Sequence, residues 1–225
     1  MKKSLLAATA ILALNLFVVN ARAADVAEAE RTVFYVSLFA GASILDDVDT
    51  KVDFGTYDRG YSVDTRTGYL LGGAIGLRIW DPLRAEVEIS HARWKAKSFE
   101  YENTLTYDAS GHLSATYLLG NLWIDIPTDS AFTPYVGGGA GVAWADGDTR
   151  FEGEDIRYAD GELGFAFQLG GGIALAVTDQ LSLDVGYRFK GVLDIDFDNG
   201  IGAPQDFEGG DLYSHNVQAG VTFGF

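Results

Sequence analysis

The chain has 225 residues, of which 48% are hydrophobic and none is cysteine, and its formal net charge is −16 at pH 7. The absence of cysteine excludes a fold held together by disulfide bonds, and the acidic excess argues against nucleic acid as a partner. A chain of this length suits one domain.

The N-terminal segment has the pattern of a secretory signal peptide. Lys2 and Lys3 precede an apolar run over residues 5–19, and residues 21–23 (ARA) form an A-x-A cleavage site. The run is short for a membrane-spanning helix, which needs about 20 apolar residues. Residues 1–23 are therefore predicted to be removed after export.

Cleavage at this site would change the net charge and set the domain boundaries. The removed residues include three basic residues and no acidic ones, so the mature net charge would be −19. Residues 24–31 are predicted to form a short periplasmic lead-in, and residues 32–225 the folded domain.

Most of the mature sequence alternates between apolar residues and polar or small ones, which is the period of a β-strand. Eight segments are predicted to be strands: residues 32–43, 67–79, 83–92, 113–126, 133–144, 165–177, 181–190 and 213–225. The third alternates most clearly, with Val87 and Ile89 on one face and Glu88 on the other. The fourth breaks the alternation, so its facing stays open, although Asn121 and Asp125 share a parity.

Alternation alone fits both a transmembrane barrel and a soluble lipocalin-like barrel with its apolar face inward. The polar face consists mostly of Gly, Ser, Ala, Asn and Gln, which are too small and uncharged for a water-facing exterior. Transmembrane barrels also have short periplasmic turns and long outer loops. The tight connections are residues 80–82, 127–130 and 178–180, and the long ones are residues 44–66, 93–111, 145–162 and 191–212. We therefore predict an all-β fold, an eight-stranded antiparallel transmembrane up-and-down β-barrel.

Aromatic residues cluster near the strand ends, as they do in the two interfacial girdles of such barrels. The predicted turn-side girdle consists of Phe34, Trp80, Phe132, Phe223 and Phe225, and the predicted loop-side girdle of Tyr69, Trp94, Trp144, Phe165 and Tyr213.

Charged residues within the strands are predicted to face the lumen. A one-residue slip of the third segment would expose Arg84, Glu86 and Glu88 to lipid together, and a single Arg at mid-membrane costs about 2 to 4 kcal/mol. The predicted interior charges are Arg78, Arg84, Glu86, Glu88, Asp184, Arg188 and Lys190. Because unpaired buried charges are expensive, we expect a salt-bridge network that fills the barrel. The alternative is a selectivity ring of a pore.

Five segments carry a family resemblance: FYVSLFAGAS after the signal peptide, TPYVGGGAGVAW, FAFQLGGGIA, LSLDVGYRF and the terminal Phe225. Together they resemble the single-domain outer-membrane β-barrel family of OmpA/OmpX type, over essentially the whole mature chain. The resemblance implies an outer-membrane location in a Gram-negative bacterium, in contact with outer-membrane lipid and lipopolysaccharide. It also implies that the barrel-assembly machinery recognises the last strand, with Phe223 and Phe225 as the assembly signal.

The long connections are strongly acidic, and residues 191–212 include six acidic residues and no basic one. Clustered carboxylates are oxygen ligands suited to Ca²⁺ or Mg²⁺. Asp194, Asp196 and Asp198 are spaced as in an EF-hand loop, but Asn199 and Gln205 stand where that loop has its Gly and its bidentate Glu. These three aspartates are candidate metal ligands, and the alternative is a solvated acidic surface.

Three histidines, His91, His112 and His215, lie near the loop-side ends of strands. Two of them follow a serine, but adjacent strand residues point to opposite faces, so neither serine can be a nucleophile activated by its neighbour. A catalytic triad would have to be assembled between strands. Haem or metal capture is also chemically allowed, and the candidate tyrosines are Tyr101, Tyr107 and Tyr158.

The sequence therefore predicts a non-catalytic, surface-exposed outer-membrane barrel without a cofactor. Its acidic loops would be available for contacts with ligands, ions or a host. Two alternatives stay open: a small outer-membrane pore, and a lipid-modifying enzyme or haem-binding barrel.

Overall fold

The computed structural model describes residues 34–46, 48–53, 58–101, 105–108, 110–151, 154–195 and 210–225, and the predicted signal peptide and lead-in lie outside them. The strands of this part are β1 (Phe34–Leu45), β2 (Val48–Asp53), β3 (Asp58–Trp80), β4 (Leu83–Tyr101), β5 (Leu105–Asp108), β6 (Ser110–Asp125), β7 (Phe132–Phe151), β8 (Glu154–Ala176), β9 (Leu181–Ile195) and β10 (Gly210–Gly224). No helix in the described ranges is long and apolar enough to cross a membrane.

Eight of these strands close into a barrel in which every pairing is antiparallel. The order around the barrel is β1, β3, β4, β6, β7, β8, β9, β10, and β10 pairs with β1 again. The short strands β2 and β5 pair with the outer parts of β3 and β4. The prediction of an eight-stranded antiparallel barrel is therefore confirmed.

Side chains alternate between the lumen and the outer surface, as the sequence pattern predicts. On β4, Val87 and Ile89 are 59% and 60% exposed, whereas Glu88 between them is 3% exposed. On β10, Val217 is 59% exposed, and Asn216 is fully buried. The exposed apolar side chains form the lipid-facing surface of the barrel.

The structure gives the facing of β6, which the sequence left open, and shows why its alternation is unclear. Tyr117, Leu119 and Trp123 are buried in the lumen together with Asn121 and Asp125. Large apolar side chains therefore lie on both faces of this strand, which hides its alternation. The lumen has room for such rings because glycines line the neighbouring strand; a Cβ at residue 137 would overlap the Trp123 ring.

The strands are longer than predicted, and the loops are correspondingly shorter. β4 continues to Tyr101 and β7 to Phe151, although residues 93–111 and 145–162 were predicted as loops. Trp94 is fully buried in the lumen, so its assignment to the loop-side girdle is wrong. The strands extend past the lipid because antiparallel pairing continues wherever two neighbouring strands can satisfy each other's backbone groups.

Candidate functional site

The lumen contains a cavity of about 600 Å³ near the short turns, at the end of the barrel where Phe34 and Phe225 lie. The guanidinium of Arg84 contacts the Asp125 carboxylate through Nε and Nη2, each at 2.9 Å. Arg78 Nη1 lies 3.3 Å from Asp125 and 3.2 Å from Asp81. Charged and polar side chains therefore line the short-turn end of the barrel.

Aromatic side chains separate the charges deeper in the lumen. Glu86 accepts hydrogen bonds from Trp123 Nε1 at 2.6 Å and from the Tyr35 hydroxyl at 3.0 Å. The Arg188 guanidinium lies 4.1 Å from the centre of the Trp123 ring and donates to the Tyr135 hydroxyl at 3.1 Å. A cation over an indole face is electrostatically stabilised. The Tyr135 hydroxyl in turn donates to Asp184 at 3.1 Å.

A buried ion pair crosses the middle of the lumen. Lys190 Nζ donates to Glu88 Oε1 at 2.6 Å, and both side chains are almost fully buried. Glu88 also accepts hydrogen bonds from Ser90 Oγ at 2.7 Å, Gln168 Nε2 at 2.7 Å and Asn121 Nδ2 at 3.1 Å. Every lone-pair region of this carboxylate is therefore occupied by a donor from the protein, which offsets its desolvation.

An apolar plug fills the lumen on the outer side of this ion pair. Its buried members are Leu45, Leu70, Ala92, Trp94, Ala115, Tyr117, Leu119, Ala143, Ala145, Ala166, Val192 and Leu212. The indole of Trp94 lies over Gly68 of β3 and donates to Ser43 Oγ on β1 at 3.0 Å. The plug could not be predicted from the sequence, because several of its members lie in segments that were predicted as loops: Leu45, Trp94, Ala145, Val192 and Leu212.

The seven predicted interior charges all lie on the lumen face, but they do not form one network of ion pairs. Glu88 and Lys190 pair directly, and Arg78 and Arg84 both pair with Asp125, which was not among the predicted charges. The remaining three, Glu86, Asp184 and Arg188, are joined through aromatic side chains and have no ion pair in the described part of the chain.

Two of the histidines have partners on the outer surface. His215 Nε2 lies 3.3 Å from Asp46 Oδ1, and its Nδ1 lies 2.6 Å from the Tyr187 hydroxyl. His91 Nδ1 lies 2.9 Å from Thr116 Oγ1. The serines that precede these histidines, Ser90 and Ser214, are buried in the lumen, so neither contacts its neighbouring histidine.

The candidate metal and haem ligands mostly lie outside what the structure describes. Asp196 and Asp198 lie outside the residues that the structure describes, and so do the side chains of Asp194, Tyr101, Tyr107 and Tyr158. Among the described side chains, no group of three or more His, Asp or Glu residues could hold a metal ion.

Two basic residues on the outer surface were missed by the sequence analysis. Arg93 and Lys95 lie on the exposed face of β4, and Trp94 between them faces the lumen. The sequence does contain a signal for their position, because residues 91–95 (HARWK) continue the alternation of the strand. In this stretch the polar and apolar residues have exchanged faces. Polar residues point outward here, and apolar residues point inward.

Comparison with protein families gives one extended match. Residues 9–225 match the family described as "Outer membrane protein beta-barrel domain". An uncharacterized protein of Brucella abortus is 28% identical in an alignment of 144 positions, and the match covers 54% of this chain and 51% of that protein. Proteins of Brucella suis and Brucella melitensis match to the same extent. The chain thus spans about half the length of these curated relatives.

Several solved outer-membrane barrels share the fold. OprG from Pseudomonas aeruginosa has a TM-score of 0.56 at 15% identity, covering 87% of this chain and 98% of OprG. Neisserial surface protein A has a TM-score of 0.50 at 21% identity, covering 85% and 97%. The protease OmpT of Escherichia coli has a TM-score of 0.52 at 8% identity, covering 86% and 97%. A fold that includes a protease does not by itself decide between catalytic and non-catalytic roles.

Proposed function

The chain belongs to the outer membrane protein beta-barrel domain family and is located in the bacterial outer membrane, and from this premise we propose that it is a non-catalytic, non-conducting surface protein. The observation that carries this proposal is the apolar plug on the outer side of the Glu88–Lys190 pair. Its outer strands and acidic connections are the parts available for contacts with ligands, ions or a host.

The packed lumen argues against the pore alternative. Eight strands leave an interior just wide enough to be filled by side chains, and here Trp94 and Leu70 are fully buried in its outer half. Lys190 and Glu88 contact each other rather than lining a channel. An ion that crossed this region would have to break a buried ion pair and lose its own hydration, and both steps are costly.

The histidine contacts give no support to the enzyme alternative. His215 has an acidic partner and a phenol, but no serine or threonine hydroxyl contacts it in the described part of the chain. His91 has a hydroxyl partner, Thr116, but no carboxylate among the described residues contacts it. A hydrolytic triad needs a nucleophile, a base and an orienting group in one constellation, and in the described part of the chain neither His215 nor His91 has all of these.

Conductance of the refolded chain from residue 24 onward tests this proposal. Inserted into a planar lipid bilayer, the protein is expected to give no discrete current steps, whereas an open porin refolded into the same lipid gives them. The retarded gel mobility of a heated sample relative to an unheated one verifies that the barrel is folded. Reproducible, ion-selective steps from the folded protein would overturn the proposal in favour of the pore.

A further inference from the structure

The outward face of β4 changes from apolar to basic along its length. Its outward residues, from the turn side to the outer side, are Leu83, Ala85, Val87, Ile89, His91, Arg93 and Lys95. The inward residues at the same level, Ala92 and Trp94, are fully buried, so the direction of the side chains is fixed by the packing of the plug. Two cations therefore follow directly after the lipid-facing part of this strand.

The height of Arg93 coincides with the outer edge of the lipid-facing belt. Arg93 lies ten residues beyond Leu83, the first residue of β4. Ten residues at about 3.3 Å each, on a strand tilted by about 40°, rise by about 25 Å along the membrane normal. The apolar belt of such barrels is also about 25 Å tall. Arg93 and Lys95 are therefore at the level of the lipid headgroups in the outer leaflet.

Both cations are available for a ligand. Arg93 and Lys95 are exposed, and within the described ranges neither has an ion pair with a carboxylate. Residues two apart on one face of a strand are about 6.6 Å apart, so the two side chains can reach the same phosphorylated group or two adjacent ones. In a chain with a net charge of −16, two exposed cations on one face of a strand are a marked local excess of positive charge. The exposed carboxylate of Asp146 at the same height is on β7, beyond Ser114 of β6, and does not pair with either cation.

The neighbouring strands complete an interfacial surface around the two cations. Across the ladders, Tyr69 of β3 and Ser114 of β6 lie opposite Arg93. Trp144 of β7 is 38% exposed and lies opposite Thr116. Aromatic rings of this kind position a barrel at the headgroup level, and a hydroxyl adds a neutral donor for phosphate oxygens.

We propose that Arg93 and Lys95 bind the phosphate groups of a phosphorylated lipid of the outer leaflet. Arg presents a planar fork of donors that matches phosphate geometry, and Lys adds a point charge. The acyl chains of the lipid would lie along the apolar part of the same face, which includes Val87 and Ile89. The proposal rests on the membrane location of the barrel and is independent of whether its lumen conducts.

The opposite side of the barrel does not offer this chemistry. At the outer ends of β9, β10 and β1, the outward residues include Tyr187, His215 and Asp46, and the histidine contacts both of the others. A carboxylate at the headgroup level repels a phosphate. Binding is therefore expected on the β3–β4–β6 side alone.

Lipid binding to the folded protein in zwitterionic detergent micelles tests the proposal. Native mass spectrometry measures binding of diphosphorylated lipid A, of the same lipid after removal of its phosphates, and of inorganic phosphate as a competitor. The double variant R93Q/K95Q is expected to bind diphosphorylated lipid A at least about tenfold more weakly, because it loses the charge-assisted hydrogen bonds of both side chains to the phosphates. Dephosphorylated lipid A is expected to bind both proteins equally.

Two control variants make the result specific. Arg78→Gln is the same type of substitution at the periplasmic end of β3 and is expected to leave lipid A binding unchanged. The exchange R93K/K95R keeps both charges and is expected to retain most of the affinity. Equal lipid A affinity for the R93Q/K95Q variant and the unmodified protein would overturn the proposal. Competition by inorganic phosphate at the same affinity as lipid A would overturn the lipid assignment.

Discussion

At the scale of single residues, the Glu88–Lys190 pair is the most constrained feature of the lumen. The two groups lie on strands that do not pair with each other, and they are separated by 102 positions in sequence. Each is buried, so the loss of one leaves the other as an uncompensated charge. The pair therefore ties opposite walls of the barrel together, in addition to the backbone hydrogen bonds between neighbouring strands.

Substitution of Lys190 by methionine is expected to destabilise the barrel strongly. Removal of one partner of a buried pair costs about 3 to 5 kcal/mol, because Glu88 keeps its desolvation and loses its cation. Urea unfolding in lipid vesicles, followed by tryptophan fluorescence, measures the change in the free energy of unfolding. The control is Gln180→Met, at an exposed side chain in the turn before β9, and its replacement is expected to stay within about 0.5 kcal/mol of the unmodified protein.

A double variant separates the charge effect from a packing effect. In E88Q/K190M no buried charge remains, so its loss of stability is expected to be much smaller than the sum of the two single losses. A double variant whose loss equals that sum would contradict a direct interaction between the two side chains.

At the scale of the strand, β4 demonstrates what alternation in a sequence can and cannot predict. From Leu83 to Ser90 the pattern correctly predicts the strand and its facing, because a slip would expose Arg84, Glu86 and Glu88 to lipid. Beyond Ala92 the same strand continues with polar residues outward and apolar residues inward. The outward-facing residues stop being apolar at that point, although the strand continues. The reversal reflects two changes in surroundings: headgroups replace acyl chains outside, and a dry plug replaces the polar lumen inside.

The pairing of charges across the lumen could not be predicted from the sequence. Alternation fixes which face a residue occupies, but not its height relative to a strand on the far wall. Glu88 and Lys190 were both placed in the lumen, but their contact depends on the stagger of the strands around the closed barrel, which alternation does not give. Arg84 and Asp125 lie on the paired strands β4 and β6, and Asp46 and His215 lie at the paired strands β1 and β10, so these two contacts depend on the register between neighbouring strands.

The closing strand β10 leads to a prediction about assembly. Phe225 is 68% exposed, and its backbone N–H donates to the Phe34 carbonyl oxygen at 2.9 Å, which a side-chain substitution leaves intact. We predict that Phe225→Ala lowers the yield in the outer membrane of a Gram-negative host several-fold, whereas refolding in detergent is unchanged. The physical reason is that the exposed aromatic end of the strand is free for recognition during insertion.

The control for this prediction is Phe132→Ala. Phe132 is also exposed on the turn side, at 55%, but it lies on β7, away from the closing strand. Quantitative immunoblots of isolated outer membranes compare the two variants. Equal yields of both would contradict a special role for the last strand.

At the scale of the whole molecule, the absence of cysteine allows the orientation of the barrel to be tested with single introduced thiols. Asp146 on β7 and Gln180 in the turn before β9 are both exposed and lie at opposite ends of the barrel. We predict that Asp146→Cys reacts in intact cells with a polyethylene-glycol maleimide too large for porins. Gln180→Cys is expected to react after the outer membrane has been permeabilised. The reverse pattern would place the short turns outside the cell.

The polar cavity on the turn side has a consequence for how the barrel insulates the membrane. The lining of this cavity of about 600 Å³ extends from Asp81 at the short turns to Glu88 in the middle of the lumen, so it is deep enough to carry water into that half of the barrel. Along the barrel axis, only the region between Lys190 and the outer end of the plug then insulates one side of the membrane from the other. Any voltage across the outer membrane falls over this short distance. The voltage therefore falls across the buried side chains of the apolar plug, which include Trp94.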